Sequence, residues 1–127
     1  MDDNEIEYVL VVDGNKSSSN CALEQLSLHG YKVKVLTSCS DAKKWIPSHA
    51  CLAILIDFHV NQKSELDFMT WVKAYKKDLT VIAMLEDQEE YEASRNFCDV
   101  TGNIPLYTKD FAVLEAIDHL ERVGRAS

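Results

Sequence analysis

The stretch Cys51-Leu-Ala-Ile-Leu-Ile-Asp57 decides how the rest of the chain is interpreted. Six apolar residues run without alternation into one aspartate, and a polar loop follows shortly after it. Uninterrupted apolar runs of this length are typical of strands covered on both faces, as in a parallel sheet. Because open α/β folds place their chemistry at the carboxyl ends of the strands, Asp57 is a candidate functional residue.

Other segments of the chain have the same character. The run Tyr8-Val-Leu-Val-Val12 ends in Asp13, and the run 79–85 ends in acidic residues. Residues 31–36 alternate between polar and apolar, which predicts an edge strand with one drier face. A short last strand is expected near residues 104–107.

Helical patterns separate these strands. We predict five helices: residues 16–29 with Gly30 as the C-cap, 40–46 before Pro47, 64–77 capped by Ser64, one beginning at Asp87 with capping-box spacing to Glu90, and one capped by Asp110. The residues expected to face the core are Ala22, Leu23 and Leu26, then Leu66, Met69 and Val72, and finally Val113, Leu114, Ile117 and Leu120. Five strands alternating with five helices predict one α/β domain, with right-handed crossovers that place helices on both faces of the sheet.

Composition narrows the class of protein. The chain has 127 residues, 46% of them hydrophobic, and a net charge of −8, which argues against direct nucleic-acid contact by this domain. No apolar run approaches the roughly 20 residues of a membrane helix, and the acidic start is unlike a signal peptide. The four cysteines show no Cys-x-x-Cys spacing, so core thiols in a reducing cytoplasm are expected.

Three segments together resemble the signature regions of bacterial response-regulator receiver domains, the CheY-like family. They are Leu10-Val-Val-Asp13, Ile54-Leu-Ile-Asp57 and the region from Gly102 to Tyr107-Thr-Lys109-Asp-Phe111. Each is weak alone, but their order and spacing are specific, with the lysine seven residues beyond the glycine. The resemblance covers about residues 8–123. It implies that residues 1–127 form a single receiver domain, with a flavodoxin-like, five-stranded parallel sheet of order 2-1-3-4-5.

The resemblance also implies the site. Asp57 matches the phospho-acceptor, which takes a phosphoryl group from a histidine kinase or phosphotransfer protein. Asp13, Asp57 and the backbone carbonyl of His59 match the protein ligands of Mg²⁺. Lys109 matches the lysine that pairs with the acceptor and later with the phosphoryl oxygens. Such a domain is a signalling module rather than an enzyme, and its partners are an effector protein or an attached output domain.

Four positions depart from the family pattern. Gly14 replaces the second metal-binding acid, so weak Mg²⁺ binding is expected, with Glu86 as a candidate substitute acid. Leu85 replaces the Ser or Thr at the end of the fourth strand, and Leu106 replaces the aromatic switch residue. Asp110 stands where a proline normally follows the lysine. The resemblance therefore implies an atypical receiver with degenerate switch machinery.

Two functions stay open at this stage. The domain is either phosphorylated on Asp57 in a two-component pathway, or it is a phosphorylation-independent pseudo-receiver that binds a partner or dimerises. A homodimer contact is expected on the face of the fourth helix, fifth strand and fifth helix. The charged residues expected on that face are Glu89, Glu92, Arg95, Asp110 and Arg122.

Two other binding motifs fit the sequence less well. The segment Asp57-Phe-His59 begins like a cobalamin-binding motif, but Gln62 replaces the required glycine. Residues 14–19 precede a helix and offer a place for a flavin phosphate, but they lack the Thr-Gly spacing of flavodoxins. The plain structural alternative is that Asp13 and Asp57 merely end their strands and that Lys109 neutralises them.

Overall fold

A computed structural model describes residues 6–14, 16–58, 63–76, 79–93 and 106–125. The strands are β1 (Glu7–Val12), β2 (Lys32–Leu36), β3 (Ala50–Asp57), β4 (Thr80–Leu85) and β5 (Leu106–Thr108). The helices are α1 (Lys16–Leu28), α2 (Cys39–Trp45), α3 (Lys63–Tyr75), α4, of which residues 88–93 are described, and α5 (Lys109–Arg125). A 3-10 turn over Ile46–Ser48 follows α2.

The five strands form one parallel sheet of order β2-β1-β3-β4-β5. This confirms both the predicted strand order and the position of the alternating strand β2 at an edge. The fully apolar strands β1, β3 and β4 lie inside the sheet, where both faces need cover. The hydrophobic pattern of these strands thus predicts which of them lie inside the sheet and which lies at its edge.

Helices cover both faces of the sheet, as predicted. One core cluster packs against α2 and α3 and includes Ala42, Phe68 and Met69. The other packs against α1 and α5 and includes Leu26 and Ile117. Because successive strand residues point to opposite faces, each inner strand supplies side chains to both clusters.

Two expected core residues are exposed instead. Leu23 in α1 is 37% exposed, and Leu114 in α5 is 55% exposed. In α5 the small residues Ala112 and Ala116 take the buried positions beside Val113. Both leucines lie in turns whose neighbouring residues are buried, so each sits at the flank of the buried stripe and not within it.

Three predicted boundaries shift. Helix α3 begins at Lys63 and α5 at Lys109, so Ser64 and Asp110 lie in the first turn and are not the caps. Strand β5 covers Leu106–Thr108 and so ends one residue later than expected, while Gly102 and residues 104–105 lie outside the described residues. The described part of α2 has a cap that we did not predict, since Ser38 Oγ accepts from the Asp41 N–H at 3.1 Å.

The predicted capping pair at α4 is confirmed. Asp87 Oδ1 accepts a hydrogen bond from the Glu90 backbone N–H at 2.9 Å. The Glu90 carboxylate accepts from the Glu86 N–H at 3.4 Å, one residue before the reciprocal position of a capping box.

Among the described residues, no helix is long and apolar enough to cross a membrane.

Helix α1 ends in a Schellman motif around Gly30. The Tyr31 N–H donates to the Leu26 carbonyl at 3.1 Å, and the Gly30 N–H donates to the Ser27 carbonyl at 3.0 Å. Gly30 has a φ of 88°, a left-handed conformation that disfavours side chains.

Gly30→Ala should therefore lower the free energy of unfolding by about 1 kcal/mol, because the added methyl strains the left-handed backbone. It meets no atom within 4 Å, so the loss is conformational rather than steric. Gly14→Ala is the matched control: its Cβ would meet only the Thr37 carbonyl oxygen at 3.7 Å, without left-handed strain. Urea unfolding should show the control unchanged or stabilised by up to about 1 kcal/mol. Equal losses in both variants would contradict this account.

Candidate functional site

The site is built around two buried carboxylates. Asp13 is 1% exposed and Asp57 is 7% exposed, and no other polar or charged side chain among those described is buried. The parallel register pairs Val12 with Ile56, so each aspartate follows one member of that pair at the carboxyl edge of the sheet. The fold therefore places these two acids beside each other, as their positions after strands one and three predict.

Backbone hydrogen bonds continue past the strand ends and hold this edge. The Asp13 N–H donates to the Leu36 carbonyl of β2 at 3.0 Å. The Phe58 N–H donates to the Met84 carbonyl of β4 at 2.9 Å. These bonds tie the backbone at Asp13 to β2 and the backbone directly after Asp57 to β4, so the backbone is held in place at both acids.

A cleft of about 440 Å³ opens at this edge. Its lining residues are Val12, Gly14, Thr37, Ser38, Cys39, Ile56, Asp57, Ser64, Glu65 and Glu86. The cleft brings the predicted residues Asp57, Gly14 and Glu86 together. Glu86 is exposed, whereas Oδ1 of Asp57 has almost no accessible surface.

Sequence reasoning missed the walls of this cleft. Ser38, Cys39, Ser64 and Glu65 come from the start of α2 and the start of α3. In a parallel α/β fold the helix that follows a strand begins at that strand's carboxyl edge, so these positions border any site there. The signal was available in the predicted helix starts, without any motif.

Cys39 is a protonated thiol in this wall. Burial, with the negative charge of Glu65 as the second cause, raises the pKa of Cys39 to about 11, and the Lys43 ammonium opposes this. A helix N-terminus usually lowers a thiol pKa, but here burial and the neighbouring carboxylate dominate. The thiol is therefore neutral near pH 7 and adds no further negative charge to the acid pair.

Other predicted site residues are only partly placed. The backbone of Lys109 directly follows β5 and begins α5, so it lies at the same edge of the sheet. Its side chain, and that of Leu106, lie outside the part that the structure describes, as does the whole of His59. The register pairs Leu106 with Ala83 and Thr108 with Leu85.

Leu85 belongs to the core. It is 0% exposed and lies in the cluster that packs against α3, with Tyr91 of α4 packed against the same cluster. The end of β4 therefore presents an apolar side chain and no hydroxyl donor.

The donor set suits a hard divalent cation. Two adjacent buried carboxylates repel each other unless a positive charge lies near them. Mg²⁺ takes one or two carboxylates and completes its shell with waters and phosphate oxygens, and the cleft has room for these. Over the described residues, no three His, Cys, Asp or Glu side chains converge as a metal-binding group. Asp57 lines the cleft and Asp13 does not, so the described donors fit a Mg²⁺ site with few protein ligands.

Comparison with solved structures identifies the fold. The chain matches the chemotaxis protein CheY4 of Vibrio cholerae with a TM-score of 0.74 and 18% identity, over 93% of this chain and 98% of that one. It matches the signal receiver domain of an HD domain-containing protein from Pseudomonas fluorescens Pf-5 with a TM-score of 0.73 and 15% identity, over 96% and 88% of the two chains.

A third similar structure is the response regulator TrrA of Thermotoga maritima in complex with Mg²⁺ and BeF. The TM-score is 0.68 at 19% identity, over 94% of this chain and 97% of that one. No protein-family model and no curated protein matches the sequence. The fold is therefore the CheY-like, flavodoxin-like fold of receiver domains.

Proposed function

We propose that this chain is an atypical response-regulator receiver domain, in which Asp57 accepts a phosphoryl group from a histidine kinase or phosphotransfer protein. The observation that carries the proposal is the burial of Asp13 and Asp57, side by side at the carboxyl edge of a receiver-type sheet. Buried carboxylates lose their hydration, and hydrogen bonds, a cation or a bound ligand offset that loss. A phosphoryl-transfer site gives that arrangement a use.

In the proposed phosphoryl transfer, the protein contributes mainly the position of the reacting groups and positive charge near the phosphoryl oxygens. A carboxylate oxygen of Asp57 forms a bond to phosphorus, the bond from phosphorus to the donor's histidine nitrogen breaks, and the departing imidazole takes up a proton. The product is an acyl phosphate on Asp57. Strand β3 holds the nucleophile at the base of the cleft, and in this proposal Lys109 brings its ammonium to the phosphoryl oxygens.

Asp13, Asp57 and the backbone carbonyl of His59 would hold Mg²⁺. The ion supplies positive charge that offsets the charge of the phosphoryl oxygens. Gly14 leaves the site one carboxylate short, and Glu86, at the rim of the same cleft, reaches it only if its side chain turns inward. The affinity for Mg²⁺ should therefore be low.

A specific observation favours the second function, a phosphorylation-independent pseudo-receiver. Leu85 is fully buried in the core at the position that the resemblance assigns to a hydroxyl donor. A charge-assisted hydrogen bond from such a hydroxyl contributes about 1.5–3 kcal/mol toward the phosphorylated conformation. A domain without it carries phosphate with little change of shape.

We expect acetyl phosphate with Mg²⁺ to add one phosphoryl group to the protein, and Asp57→Asn to abolish the addition. Intact mass spectrometry measures both results.

Gly14→Asp should raise the Mg²⁺ affinity about tenfold in calorimetry, because it adds one charged oxygen ligand. The position has space for a side chain, since a Cβ there makes only ordinary contacts.

Gly14→Asn is the control for Gly14→Asp, because it has the same size without the charge. If neither the wild type nor Gly14→Asp is phosphorylated, although both fold, the phospho-acceptor proposal fails and the pseudo-receiver is the better description. Tight Mg²⁺ binding by the wild type would contradict the assignment of Gly14.

In the wild type, beryllofluoride with Mg²⁺ should change the amide NMR signals around Asp57 but leave those of α4 and β5 nearly unchanged. A ligand shifts a conformational equilibrium only by its differential interaction with the two states, and Leu85 offers no hydrogen bond that would favour one of them. Leu85→Thr should extend the changes into α4 and β5 by restoring a donor. Leu85→Val is the control, with nearly the same shape and no hydroxyl. Wide changes in the wild type, or equal responses in Thr and Val variants, would refute this reading of Leu85.

We also propose that the face of α4, β5 and α5 is the contact surface for a second copy or an effector. A groove of about 300 Å³ lies there, lined by Gln88, Tyr91, Tyr107, Thr108, Phe111 and Glu115. Phe111 is 61% exposed, and Leu114 lies one turn further along α5. Of the charged residues expected there, Glu89, Glu92 and Arg122 are exposed, and Arg122 pairs with Asp118 at 3.1 Å. Arg95 and the Asp110 side chain lie outside the described residues.

Leu114→Ser should weaken self-association by up to about tenfold, since burial of one leucine contributes about 1.5–3 kcal/mol when it is complete. Light scattering across a concentration series at low and high salt measures this. Leu28→Ser in α1 is the matched control, because Leu28 is 77% exposed and lies on another helix. A wild type that stays monomeric at high concentration and low salt would remove the homodimer and leave the effector as the occupant.

A further inference from the structure

A second pocket lies at the opposite edge of the sheet, near the start of β3. Its volume is about 410 Å³, close to that of the acidic cleft. We call it the amino-edge pocket, and it is lined by Ile46, Pro47, His49, Cys51, Tyr75, Lys76 and Leu79. These residues come from the 3-10 turn after α2, from β3, and from the end of α3 and the residues that follow it. Nothing in the proposed phosphoryl chemistry uses them.

Two of the lining rings are held in place by stacking. The His49 ring stacks on Trp45, with centroids 4.3 Å apart and planes 7° apart. Tyr75 stacks on Trp71 at 5.1 Å and 5°. Rings fixed in this way lose little conformational freedom when a ligand packs against them, so the walls are preorganised.

A hydrogen bond fixes the histidine further. Nδ1 of His49 lies 2.9 Å from the Trp45 carbonyl oxygen. A carbonyl oxygen only accepts, so Nδ1 carries the hydrogen and donates it. In the neutral ring, Nε2 is therefore an acceptor, and the ring presents an aromatic face with one polar edge.

The base of the pocket is apolar, and its charge is positive. Ile46, Cys51 and Leu79 are buried, and no carboxylate is among the described residues that line the pocket. Burial raises the pKa of Cys51 to about 11, so its thiol is neutral near pH 7. Lys76 is exposed, and its ammonium is close enough to lower the pKa of that thiol against the effect of burial.

We propose that the amino-edge pocket binds a flat aromatic anion, such as an aryl carboxylate. The ring of the ligand packs against His49 and Tyr75 above the apolar base, and its carboxylate pairs with Lys76. Pockets of this size, with aromatic walls and one charged group, suit small ligands rather than large surfaces. The ammonium of Lys76 favours an anion over an otherwise similar neutral aromatic molecule.

The test uses amide and indole NMR signals of the full chain, titrated with three probes. 2-Naphthoate carries both features, 2-naphthamide lacks the charge, and cyclohexanecarboxylate lacks the flat ring. We expect 2-naphthoate to shift the amides of Cys51, Lys76 and Leu79 together with both tryptophan indoles. Each of the other two probes should bind at least about fivefold more weakly.

Two variants and one control decide the assignment. Lys76→Gln and Tyr75→Leu should each weaken 2-naphthoate binding about fivefold, while preserved amide dispersion shows that they fold. Lys44→Gln is the control, because Lys44 is an exposed lysine of α2 outside the pocket. The proposal is overturned if 2-naphthoate shifts no signal of the pocket, if 2-naphthamide binds equally well, or if Lys44→Gln weakens binding as much as Lys76→Gln.

Discussion

The structure depends on the parallel pairing of β1 with β3. This register places the first residue beyond β1 next to the last residue of β3, and both residues are aspartates. Like charges this close disfavour each other, and burial away from water increases the effect. The pairing is nevertheless fixed, because Val9 to Val12 and Ala53 to Ile56 pack into cores on both faces of the sheet. Packing of the two strands therefore fixes the two acids side by side at the carboxyl edge.

The rest of the carboxyl edge of the sheet is arranged around these two acids. The starts of α2 and α3 form the wall of the cleft, and the thiol of Cys39 is kept neutral there by burial and by Glu65. Glu86 is exposed at the rim, where water screens its charge. The neutral thiol therefore adds no charge to the carboxylates of Asp57, Glu65 and Glu86 that line the cleft.

Much of this arrangement follows from the sequence, for identifiable reasons. Unbroken apolar runs give the inner strands, alternation gives the edge strand, and parallel connection then puts Asp13 and Asp57 at one edge. Helix starts were less predictable, since Ser64 and Asp110 have capping residue types but lie inside the first turn. Leu114 was misassigned because the buried stripe of α5 runs through Ala112, Ala116 and Leu120, and Leu114 lies at its flank. The amino-edge pocket has no motif, because stacking of His49 on Trp45 depends on the turn between α2 and β3.

In the proposed function, accepting phosphate and switching shape are separable, because they depend on different strands. The acids lie on β1 and β3 at the centre of the sheet, whereas the positions that the resemblance assigns to the switch lie on β4 and β5. Leu85 is fully buried and adds apolar surface to that outer half, while the register that holds Asp13 and Asp57 involves only β1 and β3. Buried acids, by contrast, carry an energetic penalty that better-packed apolar residues would remove. Because the buried acids and Leu85 lie on different strands, the occupancy of Asp57 can be measured separately from any change around Leu85, and it is the property that separates the two proposed functions.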